Sequence, residues 1–222
     1  MALLSERDQQ TVRTQLDALT APVTLLFFTQ TIAAPETAII ARRILDEVAA
    51  LSAHVSVEEV NAVLDKERAA AFGIDAVPAV AVLANGVDTR IRFLGAPAGY
   101  EFLSLVEAVI AAGTGDSRLS ERSRALIAEH VTSPVDIKVF VTPTCSHCPR
   151  AVTVAHRMAL HSPLITSTCV EATEFLDLSR HYRVTGVPKT VINDTREILG
   201  ALPEEAFVEQ IVGAETDETV ER

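Results

Sequence analysis

The 222-residue chain contains the same unit twice, and this repeat is the feature that most limits the folds open to it. Three pairs of segments match in the same order along the chain. They are residues 23–35 (V-T-L-L-F-F-T-Q-T-I-A-A-P) with 136–148 (D-I-K-V-F-V-T-P-T-C-S-H-C), 72–78 (F-G-I-D-A-V-P) with 182–188 (Y-R-V-T-G-V-P), and 94–96 (L-G-A) with 199–201 (L-G-A). We therefore predict two domains, 1–115 and 116–222, divided in the loop-like stretch Gly113-Thr114-Gly115-Asp116.

Within each copy, short apolar runs alternate with segments of helical periodicity. The pattern predicts an α/β fold in which each copy is a mixed four-stranded sheet covered by helices. In the first copy we expect helices near 5–18, 35–51, 62–72 and 99–112, and strands near 23–28, 54–57, 79–84 and 90–94. In the second we expect helices near 118–130, 146–160, 173–181 and 203–212, and strands near 136–141, 164–170, 189–193 and 196–199.

Composition narrows the classes of protein. Apolar residues make up 48% and charged residues 22%, as in globular proteins, and no apolar run reaches the ~18–20 residues that span a bilayer. The net charge of −11 disfavours nucleic acid and anionic membranes as partners. The first ten residues lack the basic start and apolar core of a secretory signal, so we expect a cytoplasmic protein.

The strongest local motif is Cys145-Ser146-His147-Cys148, placed after a predicted strand and at the start of a predicted helix. The free N–H groups and partial positive charge of a helix N-terminus stabilise a thiolate, which lowers a cysteine pKa below ~8.5. We predict that Cys145 is the nucleophile of thiol–disulfide exchange and that Cys148 is the resolving thiol.

The surroundings of the pair favour the same chemistry. Thr144, Ser146 and His147 flank the two cysteines and are candidate supporting residues. Between Lys138 and Lys189 the chain has six Lys or Arg residues and three acids, an excess of positive charge in an acidic chain. Such a setting would stabilise a thiolate, although for any one of these cations an ordinary solvated charge is the favoured interpretation.

Zinc is the competing ligand for the pair, because His156 and His161 follow it. Against zinc, only seven residues separate Cys148 from His156, on one predicted helix, where a zinc finger uses a longer spacer with a turn. We therefore expect no metal. The third cysteine, Cys169, falls on a predicted strand and is expected to be a buried, inert thiol.

Gly186-Val187-Pro188 lies between a predicted helix and a predicted strand. A cis Val187–Pro188 bond would let the Val187 backbone face an extended partner peptide, whereas a trans bond would make the segment an ordinary turn before an edge strand. Spacing leaves both open. No complete dinucleotide or P-loop pattern is present, so we expect no flavin or nicotinamide cofactor.

A C-x-x-C at a helix start, followed about 40 residues later by Val-Pro before a strand, resembles the thioredoxin superfamily. The resemblance implies that Cys145 and Cys148 are the redox pair and that Pro188 is the cis-proline. The doubled fold is similar to the glutaredoxin-like protein disulfide oxidoreductases. It is also similar to the N-terminal domain of the flavoprotein subunit of alkyl hydroperoxide reductase, as residues 92–102 suggest as well.

The chain departs from the family pattern in three places. Ile32-Ala33-Ala34-Pro35 replaces the motif in the first copy, so we expect that copy to be inactive in exchange. Ser146-His147 matches neither the usual thioredoxin nor the usual glutaredoxin pair. The buried acid beneath the pair of thioredoxins has no counterpart that the sequence reveals, since Val139 falls near its place.

The resemblance implies two tandem thioredoxin-like folds, the second active in dithiol–disulfide exchange with protein thiols and disulfides, with Val187 and Pro188 holding the partner chain. One alternative is a dedicated electron carrier between a separate flavoprotein reductase and a peroxiredoxin. A second alternative is a non-enzymatic zinc-binding or adaptor module.

Overall fold

The structure is a computed structural model that describes residues 4–218. Helices and strands alternate in it as the repeat predicts. The helices are α1 (Glu6–Leu16), α2 (Glu36–Ala49), α3 (Lys66–Ala71), α4 (Glu101–Thr114), α5 (Glu121–His130), α6 (Cys148–His161), α7 (Leu176–His181) and α8 (Glu204–Glu218). The strands are β1 (Val23–Thr29), β2 (Val55–Asn61), β3 (Ala79–Ala84), β4 (Val87–Leu94), β5 (Val135–Val141), β6 (Ile165–Glu171), β7 (Lys189–Ile192) and β8 (Arg196–Leu199).

The strands form one continuous eight-stranded sheet in the order β2-β1-β3-β4-β6-β5-β7-β8. Each copy contributes four strands in the same internal order, with one parallel pair and two antiparallel pairs. The copies join where Ile91–Leu94 of β4 pairs in parallel with Ser167–Val170 of β6. The mixed α/β fold is confirmed. The sequence predicted a separate sheet for each copy, whereas the two are fused edge to edge.

The inner strands are buried on both faces, which explains why they appear in the sequence as continuous apolar runs. Alternate residues of β1 enter different cores: Leu25 and Phe27 pack under the longer helices, while Leu26 and Phe28 pack on the other face with α3 and α7. The larger core takes residues from α1, α2, α4, α5, α6 and α8. The site therefore rests on a sheet that helices cover on both sides.

Three bounds differ most from the predictions: the start of α3, the end of α8, and the end of β2, which lies at Asn61 rather than near 57. α3 begins at Lys66 rather than near 62, because the Asn61 side chain accepts hydrogen bonds from the N–H groups of Val63 and Leu64 in a turn, and Asp65 then caps the helix. α8 runs to Glu218, past the predicted end near 212, since no proline interrupts a segment rich in Ala and Glu. The polar, acidic composition of residues 215–222 predicts a frayed tail, but residues 215–218 belong to α8, and residues 219–222 lie outside the described residues.

The division at residues 115 and 116 stays a prediction, and the structure locates it in the connection between α4 and α5. Gly115 has a φ of +69° and ends α4 in the left-handed conformation, which glycine adopts readily. Across the described part of the chain, no helix is both long and apolar enough to cross a membrane.

Candidate functional site

The Cys145–Cys148 pair follows β5 and is joined as a disulfide, with the two Cα atoms 5.5 Å apart. We expected α6 to begin near residue 146, but it begins at Cys148. A turn precedes it, in which the Cys148 N–H donates to the Cys145 carbonyl at 3.3 Å. Pro149 lies in the first helical turn, where its missing N–H costs no helical hydrogen bond. Cys145 is half-buried and Cys148 is fully buried, so Cys145 is the more accessible of the two residues.

The three flanking candidates lie on the surface around this turn. Thr144, Ser146 and His147 are all exposed. His147 occupies the N-cap position of α6, and its side chain makes no capping hydrogen bond. The first turn of α6 holds no acidic residue, so the helix N-terminus faces the pair without a neutralising carboxylate from its own first turn.

The Val187–Pro188 bond is cis and lies directly before β7. β7 pairs antiparallel with β5, the strand that leads into the cysteine pair, so the cis-proline and the pair lie at the same end of neighbouring strands. Of the two possibilities that spacing left open, the structure has the cis form. The first copy keeps the same feature at Val77–Pro78, although it has no cysteine.

The sequence revealed no buried acid near the pair, whereas the fold buries Glu101 of the first copy, next to the residue that contacts the loop before Cys145. Glu101 is the first residue of α4 and is only 2% exposed. One of its carboxylate oxygens accepts hydrogen bonds from the Ser104 hydroxyl at 2.6 Å and from the Cys169 thiol at 3.7 Å. Burial raises the pKa of Glu101 to about 7, and these two hydrogen bonds only partly oppose the rise. The signal in the sequence that could have identified Glu101 is an acidic residue at the start of a largely apolar helix.

The start of α4 packs directly on the loop that leads to Cys145. The Tyr100 N–H donates to the Pro143 carbonyl at 2.9 Å. Gly99 has a φ of +61°, and a Cβ at this position would lie 2.2 Å from the same carbonyl oxygen. A glycine is therefore required here for the first copy to approach the active loop this closely.

A second buried polar pair lies deeper between the copies. His156 of α6 is 2% exposed, its Nδ1 is 2.8 Å from the Ser167 hydroxyl, and its ring meets Phe93 edge-on. Burial lowers the pKa of His156 to about 3, so the ring is neutral at pH 7. The described residues contain no group of three or more His, Cys, Asp and Glu side chains that could hold a metal ion. His156 therefore faces Ser167 rather than a zinc site.

Cys169 of β6 is buried, as predicted. Burial raises the pKa of its thiol well above the ordinary value, and the neighbouring Glu101 carboxylate raises it further. A thiol that stays protonated is a poor nucleophile, so this cysteine differs from the Cys145–Cys148 pair in both accessibility and chemistry.

The positive charge counted along the sequence is mostly neutralised in the fold. Four of its six cations form ion pairs: Lys138 with Asp136 and Asp194, Arg157 with Glu107, Arg180 with Asp177, and Lys189 with Glu197. Arg150 and Arg183 make no ion pair with the described residues. The expected positive setting therefore reduces to these two arginines and the helix N-terminus.

The chain combines two fused copies of one α/β unit, a Cys-x-x-Cys disulfide at a helix start and a cis-proline at the same end of the sheet, an arrangement of the thioredoxin type. A family profile described as thioredoxin domain matches residues 135–213. The resemblance to the thioredoxin superfamily is thus confirmed over the copy that carries the pair.

Two solved structures match nearly the whole chain. The N-terminal domain of alkylhydroperoxide reductase AhpF from Enterococcus faecalis has a TM-score of 0.87 and 27% identity, covering 94% of this chain and 99% of that one. A protein disulfide oxidoreductase from Aeropyrum pernix has the same TM-score and identity, covering 98% and 96%. The predicted tandem architecture and the dithiol–disulfide chemistry agree with both.

Curated relatives also match most of this chain, but the match covers only a small part of their own length. The F subunit of alkyl hydroperoxide reductase from Staphylococcus epidermidis is 27% identical over 154 residues, which is 68% of this chain and 27% of that protein. An NADH dehydrogenase of Ferdinandcohnia aciditolerans is 24% identical over 76% of this chain and 30% of that protein. The chain thus spans less than a third of the length of these relatives.

Proposed function

We propose that this protein exchanges disulfides with protein partners through Cys145 and Cys148. The observation that supports this most strongly is the disulfide between a half-buried and a fully buried cysteine at the start of α6. In the reduced protein, the free N–H groups and partial positive charge of the helix N-terminus stabilise a thiolate at Cys145.

The exchange proceeds in two displacements. The Cys145 thiolate attacks one sulfur of the partner's disulfide, which forms a mixed disulfide and releases the partner's other sulfur as a thiolate. Cys148 then loses its proton and attacks the Cys145 sulfur, which closes the Cys145–Cys148 disulfide and frees the second partner sulfur. Two electrons pass to the partner, whose two thiolates take up the two protons that the protein's dithiol has lost. The reverse sequence oxidises a partner dithiol.

Glu101 is the proposed proton acceptor for Cys148. Its carboxyl is buried in the helix that packs on the active loop, and its pKa of about 7 lets it gain or lose a proton near neutral pH. One of its oxygens has no hydrogen-bond partner among the described residues, so a lone pair is available.

Val187 and Pro188 are the proposed backbone contacts for the partner chain. The cis bond lies just before the first residue of β7, next to the last residues of β5, which lead to the pair. An extended partner segment could pair there with the Val187 backbone, in the manner of an added strand. Thr144, Ser146 and His147, exposed around the same turn, would border that segment.

Single-cysteine variants test the proposal. Cys145→Ser should abolish insulin reduction with the fold intact, and Cys148→Ser should accumulate mixed disulfides with partner proteins. Cys169→Ser is the matched control, because this buried thiol should leave the rate of reduction almost unchanged. Activity retained by Cys145→Ser would refute the assignment.

A second candidate function is electron transfer to a peroxiredoxin, with a separate flavoprotein reductase as the donor. It is favoured by the likeness to proteins named as the F subunit of alkyl hydroperoxide reductase. A coupled assay would show peroxide-dependent oxidation of the nicotinamide only when reductase, peroxiredoxin and this chain are all present. The cytoplasmic location expected from the sequence suits either function, since the cytoplasm keeps such pairs cycling.

A further inference from the structure

A groove of about 470 Å³ lies beside the cis-proline and reaches the loop before the cysteine pair. Its lining combines apolar side chains with two cations: Leu176, Val184 and Val187, with Arg180 and Arg183, and with Thr142 from the loop before the pair. Because Val187 belongs both to this groove and to the proposed partner-binding backbone, a partner segment held there would extend along the groove.

The two arginines of the lining differ in what neutralises them. Arg180 forms a 2.9 Å ion pair with Asp177, in which both side chains are largely exposed. Arg183 is exposed, and it makes no ion pair with any residue the structure describes. Arg183 is thus a free cation in the lining of the groove.

Arg183 also holds an unfavourable backbone conformation. Its φ is +50°, in the left-handed region that side chains with a Cβ rarely adopt. The matching residue of the first copy is Gly73, with a φ of +66°, and a Cβ there would meet nothing within 4 Å. The fold therefore accepts glycine at this position and does not require a side chain.

In both copies a cation from a strand of the same copy binds a carbonyl just before this position, although the two cations lie on different strands. Arg92 of β4 donates from Nε to the Phe72 carbonyl at 2.9 Å, and Lys189 of β7 donates from Nζ to the Tyr182 carbonyl at 2.6 Å. The backbone of Arg183 resembles that of Gly73, but only the copy that carries the cysteines has an arginine at this position. Strain kept in a position where the fold does not need it is a reason to look for a functional role.

We propose that Arg183 recognises acidic residues beside the reactive cysteine of the partner, so that the groove takes an extended partner segment carrying Asp or Glu next to its disulfide. This inference rests on the proposed function and names its partner class. The complementary charges meet at an exposed side chain, where one ion pair gives a preference of about two- to five-fold, reduced by salt.

The test measures how fast the reduced protein reduces peptide homodisulfides. The peptides differ only in the residues on either side of cysteine: Asp and Glu, Asn and Gln, or Lys and Lys. Each rate constant is divided by the rate constant for reduction of the same peptide by dithiothreitol. This ratio corrects for the effect of the flanking charges on the reactivity of the peptide disulfide itself. We expect the acidic peptide to react about two- to five-fold faster than the neutral one, and the basic peptide to react slowest.

Arg183→Gly should remove this preference while raising the urea midpoint, because glycine relieves the left-handed strain. Arg183→Glu should reverse the preference. The matched control is Arg118→Gly, since Arg118 is an arginine of similar φ, +54°, in the connection between the copies. It should keep the peptide preference.

The outcomes distinguish the recognition of acidic partners by Arg183 from the exchange function itself. Loss of the preference in Arg183→Gly alone supports the proposal. Equal normalised rates for the three peptides, or a preference that survives in Arg183→Gly, overturn it and leave the exchange function standing. No reduction of any peptide overturns the exchange function as well.

Discussion

Replacing Glu101 by Gln removes a buried acid and should change how stability depends on pH. Burial raises the pKa of Glu101 from its ordinary value of 4.5 to about 7. Between these values the unfolded chain loses the proton while the folded protein keeps it. The stability that protonated Glu101 allows is therefore fully present below pH 4.5 and is lost as the pH rises through 7.

The size of the loss follows from the pKa difference. At ~1.4 kcal/mol per pKa unit, a rise from 4.5 to about 7 corresponds to about 3 kcal/mol of unfolding free energy. The glutamine side chain of the Glu101→Gln variant stays neutral at every pH and can still accept the Ser104 hydroxyl. The variant should therefore be about 3 kcal/mol more stable than the wild type at pH 8, relative to their difference at pH 4.5.

Urea unfolding of oxidised wild type and Glu101→Gln at a series of pH values measures this difference. The comparison is made between the two proteins because His156 has the opposite effect on stability over an overlapping pH range. A stability difference that stays constant within about 0.5 kcal/mol from pH 4.5 to 8 would refute the buried-acid interpretation. In the reduced protein, the same variant should slow closure of the Cys145–Cys148 disulfide near pH 7.

Two further expectations concern the buried histidine and the contact between the copies. His156→Gln should make the free energy of unfolding depend less on pH in acid. Burial lowers the pKa of His156 from 6.5 to about 3, so the stability that the neutral ring allows is lost as the pH falls below about 6.5. An unchanged pH dependence below 6.5 would mean that the histidine is solvated. Gly99→Ala should lower stability by more than the ~1–2 kcal/mol of a left-handed alanine and slow exchange, because its Cβ would strike the Pro143 carbonyl. Gly73→Ala, which meets no neighbour, is its control and should cost only the conformational part in urea melts. Equal losses in the two alanine variants would contradict the close contact.

Local patterns in the sequence were enough to predict the alternation of helices and strands. The apolar run of β1 and the helical spacing of α2 each report the environment of their own residues, so their bounds fall within a few residues of the expected ones. The α6 start was misplaced because a turn around Cys145 and a helix N-terminus share the same short-range preferences.

Features that depend on contacts between the copies could not be predicted in this way. The parallel pairing of β4 with β6 leaves no signal in either sequence, because backbone hydrogen bonds join the two strands. Glu101 had no predicted role of its own, because its burial follows from the packing of α4 on the second copy. Ion pairs such as Lys189 with Glu197 likewise cancel charges that lie apart in sequence.

Differential alkylation across a series of dithiothreitol redox buffers tests the central claim most directly. The protein is equilibrated in each buffer, and its free thiols are alkylated with a label. Mass spectrometry then measures the labelled fraction of each of the three cysteines. We predict that Cys145 and Cys148 pass together from no label to full label at a single midpoint, as a two-electron couple requires, while the label at Cys169 does not change with the buffer. Labels at Cys145 and Cys148 that change independently, or not at all, would contradict the account.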